Sequence, residues 1–318
     1  YEWRLWTPYK NWKWNLKDFI LRGIFGIGKK REKVFRNFIE TKLPLSQRVT
    51  NRNEISPYKY DVLVCGSDQI WNLASSGEND PIYFLDFGKT KCKFSYAASA
   101  GNSKFSPTEH DIYLRYLKNL KSIGVREQFL KDYIKDEFNL DSEVNPDPTF
   151  LLKAKEWEKL ENKYCGMPKQ YLLVYTLLKA DETLAFAQKV GKKLKLPVVN
   201  ICNSRGLRGK SSENVDFNLM DVSPQQFLWL FHHASFVVTN TFHGNMFSII
   251  FRKSFVHYES NICDSRIMTL HNALGLDKTR MLKDVDGLQE IEVHYDKLEP
   301  FIENYVNKGM RYIMKNIS

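Results

Sequence analysis

Val237-Val-Thr-Asn-Thr-Phe-His-Gly-Asn-Met-Phe-Ser-Ile-Ile-Phe251 reads as an apolar strand, a polar corner and an apolar helix. Upstream, Ser223-Pro224-Gln225-Gln226 combines an N-cap, a Pro at the first helical position and a capping-box Gln, so it predicts a helix ending near Ala234. Tyr171 to Leu177 and Pro197 to Cys202 read as buried strands, with a helix over Asp181 to Lys195 between them. Downstream, Ser254 to Tyr258 continues as a strand and Ser265 to Leu276 as a helix.

The same alternation runs through the earlier part of the chain. Tyr60 to Gly66, Phe94 to Ser99 and Ser122 to Arg126 are strand candidates, and helices are predicted from Ser106 to Lys121 and from Glu127 to Phe138. Val144 to Thr149, broken by Pro146 and Pro148, is expected to be a connector, and the polar stretch Asn203 to Asn214 a loop. Alternating strands and helices mean an α/β fold with parallel sheets flanked by helices, in which ligands collect at the carboxyl ends of strands. At 318 residues the chain exceeds the usual limit of one core. The expected division is a basic, aromatic-rich helical arm over 1–55, an N-terminal Rossmann-like domain over 56–152 and a C-terminal one over 153–294. A last helix over 295–318 should pack back on the domains through Phe301, Ile302, Tyr305, Tyr312 and Ile313.

Composition excludes several classes. With 43% hydrophobic and 26% charged residues, general disorder is ruled out. The best apolar run, Phe227 to Val238, is interrupted by His232 and His233 and is too short to span a bilayer. The net charge is +10, and residues 1–50 hold twelve Lys or Arg against four acids, together with Trp3, Trp6, Trp12 and Trp14. That mixture suits an anionic membrane surface, or equally an arm packed on its own domain. The rest of the chain is nearly balanced in charge and has no nucleic-acid motif, so nucleic acid is not an expected partner. Cys65, Cys92, Cys165, Cys202 and Cys263 are scattered and odd in number, which predicts reduced, mostly buried thiols, no thiolate metal site and a cytoplasmic location. The chain opens without Met or a signal-like segment, so its start is expected to be internal to a longer protein.

Several residue groups could carry chemistry. The corner at 239–245 places a helix start after a strand, a setting for an anion, with hydroxyls from Thr239 and Thr241, room beside Gly244 and a titratable His243. A histidine that only caps the helix is the alternative. Ser67, Asp68 and Gln69, following a strand, offer donors and acceptors to sugar hydroxyls or form an Asx-type turn. Ser99 lies among small residues, either where substrate meets backbone or where packing is close. Arg126 follows a strand and could grip a carboxylate or phosphate through two bonds. Arg266 begins a helix, where an anionic ligand, or a salt bridge to Asp264 or Glu259, would suit it.

Taken in order, Gly66-Ser-Asp-Gln-Ile-Trp-Asn72, Tyr96-Ala-Ala-Ser-Ala-Gly101, Gly124-Val-Arg-Glu127, Asp147-Pro-Thr-Phe150, Ser223-Pro224 with Phe227-Leu228, and Thr239-Asn-Thr-Phe-His-Gly244 resemble the polysaccharide pyruvyl transferases. Arg266 and Leu274-Gly-Leu276 extend the likeness over roughly residues 55–280. The resemblance implies two Rossmann-like domains facing a cleft, as in GT-B glycosyltransferases. It also implies phosphoenolpyruvate as donor co-substrate, a glycan acceptor that a lipid could carry, no metal and no further cofactor. It assigns catalysis and donor binding to His243, Arg126 and Arg266, and the helix start adds Thr241, Gly244 and Asn245 as expected donor-binding residues. Ser67, Asp68, Gln69 and Ser99 fall to the acceptor. Two departures stand out: Asn240 occupies a position where the family usually has an acid, and the family's N-terminal strand with its Gly- and Asn-containing turn is absent. A nucleotide-sugar glycosyltransferase of the same architecture and a non-catalytic glycan- or membrane-binding assembly protein are the competing readings.

Overall fold

The structure, a computed structural model, describes residues 29–47, 52–55, 60–72, 81–87, 90, 92–101, 107–177, 180–202, 215–259, 265–276, 280–288 and 292–318. The four tryptophans of the arm, the loop expected over 203–214, Ser106, Cys263 and Asp264 lie outside these residues. Two compact units share the chain: Val49–Lys153, Ile262–Lys278 and His294–Ser318 make one, and Tyr1–Arg48, Ala154–Asn261 and Thr279–Val293 the other.

Among the described residues, helix α1 (Lys29–Lys42) comes first. In the unit built on Val49–Lys153, strands β1 (Val62–Cys65) and β2 (Cys92–Ser95) pair in parallel, as do β3 (Gly124–Val125) and β4 (Glu143–Val144). Parallel bridges from Phe94 to Ser122 and from Ala98 to Val125 join the pairs in the order β1-β2-β3-β4. Helices α2 (Pro107–Leu117) and α3 (Gln128–Phe138) alternate with the strands. Asn139, in the left-handed region at φ 51°, ends α3. The expected connector instead contributes β4 and a short 3-10 turn, Pro148–Leu151, capped by Asp147. Trp71 stacks on Phe84 with centroids 5.2 Å apart, and the Tyr113 hydroxyl donates to the Trp71 carbonyl, so the aromatic core is also pinned by a buried hydrogen bond.

The other unit runs α4 (Ala154–Glu158), β5 (Leu172–Tyr175), α5 (Ala180–Leu194), β6 (Val198–Ile201), β7 (Phe217–Leu219), α6 (Pro224–His233), β8 (Phe236–Thr239), α7 (Phe242–Ile250) and β9 (Phe255–Tyr258). Strands β6 and β8 are buried along their whole length, as expected where helices cover both faces of a parallel sheet. The capping box of Ser223 and Gln226 forms as the sequence predicts. After α8 (Ser265–Leu274), strand β10 (Met281–Leu282) completes the parallel order β10-β9-β8-β5-β6-β7. Strands leave β5 in sequence on one side and resume at β8 on its other side, so β5 and β8 flank the point where the strand order reverses.

Helix α8 packs on α3 and on α9 (Tyr295–Ile317), all in the unit of β1–β4. Helix α9 buries Ile302, Tyr305, Gly309, Tyr312 and Asn316, one face at helical spacing. Phe301, expected on that face, is 50% exposed, because it stands next to the buried row instead of on it. A Cβ at Gly309 would come within 2.5 Å of the Tyr96 hydroxyl and 2.6 Å of Pro146 Cγ, so α9 approaches this close only because residue 309 has no side chain. Cys165 is exposed, contrary to the expectation of buried thiols, whereas Cys65 is buried.

Candidate active site

His243 stands in the first turn of α7, immediately beyond the carboxyl end of β8 and at the reversal point of the sheet. Local sequence builds this corner by hydroxyl bonding. The Thr239 Oγ1 donates its one proton to the Tyr175 carbonyl at 2.6 Å, clamping the carboxyl ends of β8 and β5 together. It therefore accepts from Thr241, both from the backbone N–H at 3.1 Å and from the hydroxyl at 3.0 Å. Thr241 Oγ1 in turn accepts from the Gly244 N–H at 2.9 Å and caps the helix. Asn240 bridges the same strand ends, accepting from Thr176 at 2.8 Å and donating to Thr183 of α5 at 3.0 Å. The imidazole of His243 is half-buried, between solvent and this network.

Three expected donor-binding residues have other tasks. The Thr241 hydroxyl proton is committed to Thr239, so its side chain is a cap and not a ligand donor. Gly244 is needed for packing: an added Cβ would lie 2.0 Å from Thr239 Oγ1 and 2.7 Å from Thr241 Oγ1. Asn245 is fully buried and donates to the Thr241 carbonyl at 2.8 Å, with His257 Nδ1 2.9 Å away.

In the other unit, four of the sequence motifs converge on one buried polar cluster at the carboxyl ends of β1–β4. Arg126 Nη1 bonds Asp147 Oδ2 at 2.9 Å, Nη2 bonds Asp68 Oδ1 at 3.1 Å, and Nε lies 3.9 Å from Glu127 Oε1. Ser67 Oγ is 2.9 Å from the Ala97 carbonyl and 3.1 Å from Asp147. Asp147 Oδ1 accepts from the N–H and hydroxyl of Thr149. Ser99 donates to Glu127 and accepts from the Gly101 N–H.

Arg126 was expected to hold an anionic donor. Its guanidinium is instead sealed from water and matched by Asp147, Asp68 and Glu127, one cation against three carboxylates. Burial disfavours the charged form, but these carboxylates outweigh it and raise the Arg126 pKa. Each guanidinium nitrogen faces one of these carboxylates, so Arg126 orients Asp147 and Asp68. Ser99 is likewise buried against Glu127, and Gln69 accepts from Asn72 at 2.8 Å while lying against Gly101. Of the expected acceptor residues, Asp68 is the one that reaches well into solvent, with 63% of its side chain exposed. Arg266 is the second residue of α8 and half-exposed. Sequence reasoning overlooked Glu127 and the ligand-like role of Asp147 toward Arg126, although an Arg-Glu pair directly after a buried strand is itself a signal of paired buried charge.

A family model described as polysaccharide pyruvyl transferase matches residues 2–261. No curated protein matches the chain. Among solved structures the chain is similar to UDP-GlcNAc 2-epimerase from Methanocaldococcus jannaschii, with 10% identity over 88% of this chain and 75% of that one and a TM-score of 0.44. It is also similar to the glycotransferase of kitacinnamycin, with 13% identity over 77% of this chain and 70% of that one and a TM-score of 0.33. Among the described residues, no helix is long and apolar enough to cross a membrane.

Proposed function

Since the chain belongs to the polysaccharide pyruvyl transferase family, we propose that it moves the enolpyruvyl group of phosphoenolpyruvate onto a pair of glycan hydroxyls, closing a pyruvate ketal. The observation that supports this reading is the position of His243. A half-buried imidazole stands at a helix start, at the carboxyl end of a strand and at the reversal point of a Rossmann-type sheet, where this architecture receives its ligands.

In the proposed reaction His243 delivers a proton to the methylene carbon of the donor, which makes the adjacent carbon electrophilic. One sugar hydroxyl adds to that carbon and gives up its proton, phosphate departs with the C–O bond electrons, and the second hydroxyl adds to close the ring. Of the two hydroxyl protons released, one replaces the proton spent on the methyl group and the other leaves with phosphate. The amino end of α7 favours negative charge on the donor. In the other unit, taken by itself, Asp68 is oriented by Arg126, open to solvent and able to accept from a sugar hydroxyl.

The test is a donor and acceptor screen that follows released phosphate. Thermal stabilisation by phosphoenolpyruvate together with acceptor-dependent phosphate release supports the reading. Stabilisation by nucleotide sugars but not by phosphoenolpyruvate would replace it with glycosyl transfer.

A further inference from the structure

One side-chain cluster remote from His243 has the composition of a metal site. Glu161 lies shortly after α4, and His232 and His233 are the last two residues of α6. One ligand atom from each of the three lies within 4.8 Å of the other two, and among the described residues this is the group of His, Cys, Asp or Glu so placed. Both imidazoles are held by stacking: His232 lies on Phe251 with centroids 5.0 Å apart, and His233 on Trp229 at 4.4 Å.

The hydrogen bonds decide what the rings can offer. His233 Nδ1 is 3.0 Å from the Trp229 carbonyl, which can only accept, so Nδ1 carries the proton and the neutral ring keeps its lone pair on Nε2. A backbone carbonyl on the second ring nitrogen is the usual way a metal-binding histidine is oriented. His232 Nδ1 is 2.8 Å from Glu161 Oε1, and its Nε2 is 3.8 Å from Glu158 Oε1, so carboxylates stand on both sides of this ring. Ligand atoms around a tetrahedral zinc ion sit about 3.4 Å from one another, given bonds of about 2.0–2.1 Å. The three side chains each offer a ligand atom within 4.8 Å of the others, close to that spacing.

From this we infer that Glu161, His232 and His233 bind a divalent transition-metal ion of the zinc type. Two imidazoles with one carboxylate suit zinc, and not calcium or magnesium, which prefer all-oxygen sets. The carboxyl end of α6 also presents the negative end of the helix dipole to the cation. Strand β8 runs from this end of the sheet toward His243, so the ion sits away from the proposed chemistry. Its role is to fasten the segment following α4 to the end of α6.

The test uses the untagged full chain, stripped with chelator and titrated with zinc chloride by calorimetry. One ion per chain is expected, with the melting temperature rising as zinc is added. His233 is exposed, so His233→Ala should fold normally and bind zinc at least about tenfold more weakly, and Glu161→Gln should do the same. Absence of binding by the wild type, or unchanged affinity in His233→Ala, overturns the inference.

Discussion

The Arg126 guanidinium bonds the Asp147 carboxylate at 2.9 Å with both side chains almost completely shielded from water. Removing the cation from such a pair leaves buried carboxylates without compensation, which costs about 3–5 kcal/mol. Arg126→Ala should therefore lower the urea midpoint severely. Asp68→Asn breaks the partner that is mostly in solvent and should cost about 0–1 kcal/mol. Equal losses in the two variants would show that exposure does not grade this cluster.

The Gly244 position makes a sharper demand. A methyl group there meets Thr239 Oγ1, the atom that clamps β8 to β5, so relief of the clash must move the clamp or the helix start. Gly244→Ala should destabilise by about 1–3 kcal/mol, as overpacked sites do, even though Ala is the better helix former. A melting temperature at or above the wild-type value would mean that the corner yields without cost.

Asn240 is the departure from the family pattern, and its surroundings tolerate the usual acid. A carboxylate can accept from Thr176 and, once the Thr183 hydroxyl rotates, from Thr183 as well. Asn240→Asp should fold with stability within about 1 kcal/mol of wild type, whereas Asn240→Leu leaves both hydroxyls without this partner and should cost about 1–3 kcal/mol. Denaturant unfolding of the two variants separates these cases.

These features show which parts of the structure were legible in sequence. Strand β8 and the Ser223 cap could be read because a continuous β-branched apolar run and a Ser-Pro-Gln-Gln start are local signals. Strands β7 and β10, three and two residues long, carry no period long enough to detect. Asp68, Glu127 and Asp147 were visible as residues, but their convergence on Arg126 depends on chain segments 58 and 21 positions away, which no local pattern encodes. For the same reason the sequence did not show that α8 joins the unit of β1–β4, while for α9 it showed the packing back but not the unit it joins. Gly244 and Asn245 were read as parts of a ligand pocket because the sequence shows their proximity to His243 and not the Thr239–Thr241 bonding that occupies them.

Thiol reactivity offers an independent check on burial. Loss of solvent raises the Cys65 thiol pKa to about 12, so at pH 8 it stays protonated and is a poor nucleophile. Cys165 is exposed. Brief iodoacetamide treatment of the native protein at pH 8, followed by peptide mapping, should label Cys165 and spare Cys65. Only above about pH 12, or after unfolding, should Cys65 react. Rapid labelling of Cys65 in the folded chain would show that β1 is open to water.

His243 provides the most direct test of the proposed chemistry, because the bonds that build the corner do not pass through it. The Thr241 cap, the Thr239 clamp and the Asn240 bridge all form through other groups. His243→Ala should therefore melt close to wild type and still be stabilised by phosphoenolpyruvate, while phosphate release falls by about 10² to 10⁴, the range that positioned proton transfer contributes. A His243→Ala enzyme with full turnover, measured under saturating donor and acceptor, would remove the imidazole from the reaction. It would also leave the corner between β8 and α7 as a purely structural joint.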